Sequence, residues 1–222
     1  MQGKKVIMTG SNGMIGGLIL KKCLERNDVA SVTAIVRKSA GISHPKLHEV
    51  IHNDFLNYAP VENHFKDKDV CFFCIGVYTG QVPKDEFVKI TVDYTKEFAE
   101  TLKRLSPQAV FCFLSGSGAD SKEKSSILFA REKGKAENIL LRLAFGATHI
   151  FRPGYIYPVT PRKEPNFSYR VFRVLYKYFL VYLFPSVGVT SEKLADVMTS
   201  VGITGGEKVI YENADIRNFK TG

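Results

Sequence analysis

The 222-residue sequence contains no tryptophan, only four cysteines, and no uninterrupted apolar run of the roughly 18 residues that a membrane-spanning helix needs. All four cysteines lie within apolar patterns, where a reduced cysteine acts as a small hydrophobic residue. The N-terminus, MQGKKVIMTG, passes directly into a strand-like run without the features of a secretion signal. We therefore expect a cytoplasmic domain that is stabilised by an apolar core rather than by disulfides.

A metal centre is also not expected. Cys71 and Cys74 form a CxxC, but the surrounding run VCFFCIG reads as a strand. Strand alternation points residues three apart to opposite faces, so the two thiols cannot share a metal ion.

Acidic residues are in deficit, with 22 Asp and Glu against 31 Lys and Arg, which gives a net charge of +9. Such a surface attracts anions. Binding to nucleic acid would require basic and aromatic residues clustered on one element, but here the basic residues are spread over helix faces and loops. A small polyphosphate ligand explains the charge more simply, and we expect no nucleic-acid partner.

Strand-like and helical patterns alternate along almost the whole chain, with no internal repeat or interdomain linker. The strand-like runs are nearly continuous in apolar residues, which is typical of a parallel sheet covered on both faces. The pattern predicts one α/β domain over residues 1–222 with a doubly wound parallel sheet. The predicted strands are 4–10, 31–37, 47–54, 70–76, 109–115, 148–154 and 207–213, and the main helices are 14–26, 83–105, one carrying 129–133, and 191–203.

Residues from about 155 to 205 depart from this alternation and predict a small C-terminal helical part that covers the substrate end of the sheet. Within it, 170–184 (RVFRVLYKYFLVYLF) places Arg170, Arg173 and Lys177 on one narrow stripe of an apolar, aromatic helix. This helix could pack on the sheet, close over a hydrophobic substrate or form a homodimer contact. A membrane-surface role ranks last, because it needs a larger polar face.

The first predicted strand runs into TGSNGMIGG, in which Gly10, Gly13 and Gly16 follow a GxxGxxG spacing. Glycines permit a tight turn and a close approach of the backbone to a pyrophosphate, which the N–H groups at the helix start then bind. The alternative is a plain strand-to-helix turn. The predicted dinucleotide-binding residues in this loop are Gly10, Ser11, Asn12, Gly13, Met14, Ile15 and Gly16.

The end of the second predicted strand indicates which dinucleotide is bound. An acidic residue there holds a free ribose 2′-hydroxyl, whereas a 2′-phosphate requires a cation. The chain has Arg37 and Lys38 and no acid at this point. Because a guanidinium can bind a phosphate in a bidentate manner, NADP(H) is favoured over NAD(H). The alternative is that Arg37 is an ordinary surface charge.

Taken together, these motifs resemble the short-chain dehydrogenase/reductase superfamily, and most closely its atypical branch that contains the Tat-interactive oxidoreductase-like proteins. The resemblance implies a Rossmann-like fold, an NAD(P) cofactor and a small-molecule substrate. The matching segments are TGSNGMIG (9–16), Asn53-Asp54-Phe55 beside the adenine, Cys74-Ile75-Gly76 near the ribose, FLSGSGAD (113–120), and Arg152-Pro153-Gly154-Tyr155-Ile156 along the nicotinamide.

The resemblance also implies that a Ser, a Tyr and a Lys carry out carbonyl reduction or alcohol oxidation. Either Ser115 or Ser117 matches the serine that polarises the carbonyl, and Lys133 matches the lysine that binds the nicotinamide ribose. The tyrosine is expected near the middle of a helix, four residues before the lysine, but Phe129 occupies this position.

Two functions therefore remain open: an NADP(H)-dependent oxidoreductase acting on a small or hydrophobic carbonyl or alcohol compound, and a catalytically impaired NADP(H)-binding regulatory or sensor protein. Phenylalanine cannot transfer a proton, and this removes general acid–base catalysis worth roughly 10² to 10⁴ in rate. Tyr78, Tyr155 or Tyr157 could supply a relocated acid.

Lys133 stands in an apolar stripe of its predicted helix. Residues at three- and four-residue steps along this stripe are Phe129, Lys133, Ala136, Leu140 and Leu143. An ammonium facing a core costs several kcal/mol unless a partner satisfies it, so a ribose is a plausible ligand. The alternative is that Lys133 extends from the stripe edge into water.

Overall fold

The sheet of this protein is described from a computed structural model that covers residues 3–77, 80–159 and 188–220. Within those residues, seven strands form one sheet, and every neighbouring pair is parallel. Across the sheet the strands lie in the order 47–51, 29–36, 4–9, 70–73, 110–114, 147–152 and 210–212. A parallel sheet requires crossover connections that cover its faces with helices. The predicted Rossmann-like α/β fold is confirmed.

The bounds of the elements follow the predicted alternation closely. The strands are β1 Lys4–Thr9, β2 Val29–Val36, β3 Leu47–Ile51, β4 Val70–Phe73, β5 Val110–Leu114, β6 Ala147–Arg152, β7 Tyr155–Tyr157, β8 Gly188–Thr190 and β9 Ile210–Glu212. The helices are α1 Met14–Glu25, α2 Lys84–Val88, α3 Tyr94–Leu105, α4 Leu128–Leu143, α5 Ser191–Thr204 and α6 Asn213–Asn218, with a 3₁₀ helix at Ala59–Phe65 and a π-helical segment at Lys89–Asp93.

Alternation along each strand divides the core into two layers. On β1, Val6 and Met8 join the layer that contains α1 and α5, whereas Ile7 joins the layer that contains α3 and α4. Cys71 and Cys74 are divided in the same way, since Cys71 lies in the second layer and Cys74 packs against the first. The described residues contain no cluster of ligands that could hold a metal ion.

Two helices differ from their predicted form. The predicted helix 83–105 is built from α2, the π-helical segment and α3, so its path is continuous but locally widened. Helix α4 begins only at Leu128, which places Phe129 in its first turn and not near its middle. The five residues 129–133 therefore lie next to the loop that follows β5.

The C-terminal part contains the predicted helix 191–203 as α5. Helix α5 packs beside α1 on the sheet, where Leu194, Met198 and Val201 are fully buried in the same core layer as Val6. It therefore belongs to the helical layer that covers this face of the sheet. Strands β7 and β8 pair with each other in a separate two-stranded parallel sheet. The predicted aromatic helix 170–184 and Tyr78 lie outside the described residues.

None of the helices within the described ranges is long and apolar enough to span a bilayer. The strand order reverses direction between β1 and β4, since β2 and β3 lie on one side and β5, β6 and β9 on the other. At such a reversal, a crevice opens outside the carboxyl ends of the two adjacent strands. Ligands of open α/β sheets bind in this crevice.

Candidate dinucleotide and substrate site

A cavity of about 420 Å³ opens at this reversal point. The loops that follow β1, β4, β5 and β6 all contribute to it, which brings residues far apart in sequence to one edge of the sheet. Most of the site residues predicted from short sequence motifs line this cavity. The lining residues are Gly13, Met14, Ile15, Cys74, Ile75, Gly76, Val77, Leu114, Ser115, Gly116, Ser117, Phe129, Lys133, Pro153, Gly154, Tyr155, Ile156 and Pro158.

The glycines after β1 are required by close backbone packing. A Cβ on Gly16 would lie 2.1 Å from the carbonyl oxygen of Gly10, and a Cβ on Gly10 would lie 2.6 Å from the carbonyl group of Cys74. Gly10 also has a φ of +79°, in the left-handed region that side chains other than glycine rarely adopt. The loop after β1 therefore turns tightly under the start of α1 and against the end of β4.

The start of α1 presents uncapped amide groups to the cavity. Gly13 is its N-cap, no side chain caps it, and the first turn contains no acidic residue. The first N–H groups of a helix have no intrahelical acceptor, and here Met14 and Ile15 line the cavity. These amides and the helix dipole create a binding point for an anion such as a pyrophosphate.

Ser115 belongs to a buried network that sequence reasoning missed. Its hydroxyl donates to Oε1 of Glu137 at 2.5 Å, and Arg152 donates to both oxygens of the same carboxylate, through Nε at 3.0 Å and Nη2 at 2.5 Å. Glu137 is only 1% exposed, and its hydrogen bonds raise the pKa of Arg152 above its usual value. The proton of Ser115 therefore points toward Glu137, away from the cavity.

Ser117 differs from Ser115 in its surroundings. It is exposed at the cavity, its backbone N–H donates to the carbonyl of Pro153 at 2.8 Å, and its hydroxyl makes no hydrogen bond to another described residue. A hydroxyl without a fixed acceptor can turn its proton toward a ligand. Of the two candidate serines, Ser117 has the geometry of a donor to a substrate.

Lys133 lies beneath the cavity and does not extend into bulk water, which excludes the edge-of-stripe alternative. The residue is 6% exposed, its Nζ donates to the carbonyl of Leu114 at 3.2 Å, and Nζ lies 5.0 Å from the centroid of the Phe113 ring. Burial lowers the pKa of Lys133 to about 8, partly offset by Glu137 and Cys74. Desolvation of the charged form is the dominant cause.

Lys133→Met is expected to stabilise the dinucleotide-free protein near pH 7 by about 1–3 kcal/mol, because it removes a buried charge. The pKa of Lys133 falls from 10.5 to about 8 on folding. The unfolded chain therefore holds more protons between these pH values, so this lysine's destabilising contribution is complete below pH 8 and lost as the pH rises toward 10.5. Urea unfolding near pH 7 and pH 10 measures the difference in the free energy of unfolding between variant and parent. A difference that does not narrow at the higher pH would contradict the burial of the charged amine.

Phe129 contributes its ring to the cavity wall. The ring is half-buried, and its Cζ would lie 2.5 Å from a Cβ built on Gly116, so the tip of the ring packs directly on that glycine. The Phe87 ring lies 6.5 Å away between centroids. Of the tyrosines considered as substitutes, Tyr155 lines the cavity, whereas Tyr157 lies two residues further along β7 and is not part of its lining.

Eight predicted cofactor ligands do not line the cavity: four belong to the glycine loop after β1, and the other four follow β2 and β3. Arg37 and Lys38 are exposed after β2, and the side-chain amide of Asn12 donates to the Lys38 carbonyl at 2.6 Å, which joins the loops after β1 and β2. Asp54 is exposed after β3, where its side chain accepts from the backbone N–H of Leu56. Phe55 is 4% exposed and packs in the core, so its ring offers no free face to a ligand.

The glycine loop itself has two further features. Ser11 is buried and its hydroxyl has no hydrogen-bond partner among the described residues, so this side chain supports the loop from inside. Gly10 and Gly16 act through packing rather than by lining the cavity. The cavity residues that sequence reasoning did not name are Val77, Leu114, Gly116 and Pro158. Leu114 and Gly116 lie within the segment FLSGSGAD, which was matched only as a whole, whereas Val77 after β4 and Pro158 after β7 carry no motif.

This combination of parallel sheet, glycine turn and strand-end cavity defines a Rossmann-type domain, and residues 10–97 match the family described as NAD(P)H-binding. Over 161 residues the chain is 33% identical to Protein HTATIP2 from Rattus norvegicus. This match covers 70% of this chain and 64% of that protein. The crystal structure of a short chain dehydrogenase from Leptospira borgpetersenii with bound NAD+ has a TM-score of 0.68 at 15% identity, covering 97% of this chain and 94% of the other. The chain is similar in sequence to HTATIP2 and shares its fold with short-chain dehydrogenases, so the predicted resemblance is confirmed.

A second group of relatives bears on the location of the protein. The chain is 26% identical over 153 residues to Protein FMP52, mitochondrial, from Meyerozyma guilliermondii, covering 68% of this chain and 65% of that protein. The chain thus matches less than two thirds of the length of either relative. The cytoplasmic location stays a prediction, because the name of this relative gives a mitochondrial one.

Proposed function

We propose that this protein is an NADP(H)-dependent oxidoreductase that acts on a small or hydrophobic carbonyl or alcohol compound. The observation that carries the proposal is the buried amine of Lys133, which lines one cavity together with the start of α1 and the serine loop after β5. A buried ammonium with a single carbonyl acceptor is poorly satisfied, and the hydroxyls of a ribose would complete its hydrogen bonding.

The proposed roles follow the order of the loops around the cavity. The amides of Met14 and Ile15 would hold the pyrophosphate, and Lys133 would hold the nicotinamide ribose. Ser117 would donate to the carbonyl oxygen of the substrate, since the proton of Ser115 is directed to Glu137. Bound NADPH supplies the hydride. The remaining contacts are assigned to Asp54, Cys74, Ile75 and Gly76 for the adenosine half and to Pro153, Gly154, Tyr155 and Ile156 for the nicotinamide.

Selectivity for the 2′-phosphate is assigned to Arg37, assisted by Lys38. NADPH is expected to raise the melting temperature more than NADH at equal concentration, with roughly tenfold or greater difference in affinity, because charge-assisted hydrogen bonds contribute about 1.5–3 kcal/mol. In Arg37→Ala, NADPH and NADH should raise the melting temperature by similar amounts. The matched control is Arg142→Ala, which removes an exposed arginine at the far end of α4 and should preserve the difference. Equal shifts in the parent protein would exclude the role of Arg37.

The second candidate function is an NADP(H)-binding regulatory or sensor protein without turnover. Phe129 favours it, because the ring at the position of the expected acid packs on Gly116 and offers no proton.

We further propose that residues 1–222 act as one nucleotide-binding domain, that the protein works in the cytoplasm, and that any second subunit is another copy of this chain. Measuring aldehyde- or quinone-dependent oxidation of NADPH by the parent protein separates the two functions.

A further inference from the structure

The amine of Lys133 is buried at the edge of a cavity without an ion-pair partner among the described residues. Within the described residues, its Nζ has one hydrogen-bond acceptor, the carbonyl of Leu114, and no carboxylate within ion-pair distance. The charged and titratable groups that face it are Glu137 on its own helix and Cys74 after β4. The carboxylate of Glu137 is already held by Arg152 and Ser115.

Burial also leaves a larger fraction of this amine neutral than in an exposed lysine, and only the neutral form is nucleophilic. With a pKa of about 8, roughly a tenth of Lys133 is unprotonated near pH 7, against about 0.04% for an ordinary lysine. The cavity wall around it is mostly apolar, with Phe129, Met14 and Ile156 among its members. Desolvated lysines in apolar pockets are the ones that form Schiff bases with carbonyl compounds.

We propose that Lys133 of the dinucleotide-free protein captures small aldehydes as an imine, so that carbonyl capture and dinucleotide binding compete for the same amine. The neutral Nζ attacks the carbonyl carbon, and the carbonyl electron pair moves to oxygen, which takes a proton to give a carbinolamine. Loss of that hydroxyl as water forms the C=N bond. One aldehyde and one amine give one imine and one water, without an oxidant or reductant. The competition, though not the capture, rests on the proposed ribose contact of Lys133.

Borohydride trapping with peptide mapping tests the capture directly. Dinucleotide-free protein is incubated with propanal near pH 7 and then reduced, which converts an imine into a stable propyl-lysine. Lys133 is expected to be labelled on the order of tenfold faster than Lys135, an exposed lysine on the same helix that serves as an internal reference. The rate at Lys133 should level off above about pH 8, whereas the rate at Lys135 should continue to rise.

Equal labelling of the two lysines, or labelling that spares Lys133, would overturn the proposal. The comparison is made on the unmodified protein and so does not depend on the folding of any variant. As a second check, Lys133→Met should remove the fast label, and Lys135→Met should retain it.

Including NADPH separates this proposal from the proposed function. If fluorescence titration shows that NADPH binds, and NADPH slows labelling of Lys133, both the capture and the proposed function are supported. Binding of NADPH without protection would leave capture intact and remove the ribose contact. Fast labelling without binding of any dinucleotide would overturn the proposed function alone, and binding without labelling would overturn the capture alone.

Discussion

Phe129→Tyr is expected to raise the rate of NADPH-dependent aldehyde or quinone reduction by roughly 10²-fold or more, or to create turnover in a parent that lacks it. The tip of the Phe129 ring lies against Gly116, in the loop that follows β5. A hydroxyl added at Cζ would therefore stand beside the loop that carries Ser115 and Ser117, one helical turn before Lys133. A nearby ammonium favours the ionised form of a phenol and thus prepares it for proton transfer.

Two variants control for other effects of this change. Phe129→Leu alters the cavity wall without adding an acid, so it should give no gain in turnover. Combining Phe129→Tyr with Lys133→Met should lose most of the gain, because the new hydroxyl then lacks its cationic neighbour. If Phe129→Tyr is inert while the parent is active, the proton donor lies elsewhere and the assignment of roles around Lys133 is wrong.

Gly16→Ala is expected to weaken NADPH binding by roughly 100-fold, or about 2.7 kcal/mol. A Cβ at this position would lie 2.1 Å from the carbonyl oxygen of Gly10, so the loop must move away from the helix start that we propose binds the pyrophosphate. Overpacking of this kind should also lower the free energy of unfolding by about 1–3 kcal/mol. Fluorescence titration with NADPH and urea unfolding measure the two effects.

Gly17→Ala is the matched control on the same helix. Its Cβ would meet the carbonyl oxygen of Ser11 at 3.1 Å, a contact that a shift of a few tenths of an ångström relieves. A small loss of affinity is expected. Equal losses for the two variants would show that any methyl group in this turn disturbs binding, and that the close contact of Gly16 with Gly10 has no special role.

The sequence predicted the sheet well because each buried strand carries its own signal. Runs such as VCFFCIG are apolar on both faces, and only a sheet covered on both sides accommodates them. The apolar pattern of α5 predicted a buried helix but did not indicate which layer of the core it packs against. Its packing beside α1 depends on tertiary contacts made by Leu194, Met198 and Val201.

The site was predictable where a motif fixes the backbone and less so where contacts come from distant residues. Gly10 and Gly16 could be named because their spacing reflects a tight turn that the structure confirms. The contact of Ser115 with Glu137 and Arg152 could not, because it joins β5, α4 and β6 through side chains without a shared motif. The motif position of Phe55 could not indicate that its ring lies in the core, because this burial depends on packing against other elements.

Calorimetric titration of the unmodified protein with NADPH tests the central claim most directly, because the proposed binding at the uncapped start of α1 underlies every role in the proposed function. The account predicts heat that saturates at one dinucleotide per chain, with weaker binding of NADH. Absence of heat with both dinucleotides, from protein shown to be folded, would contradict it.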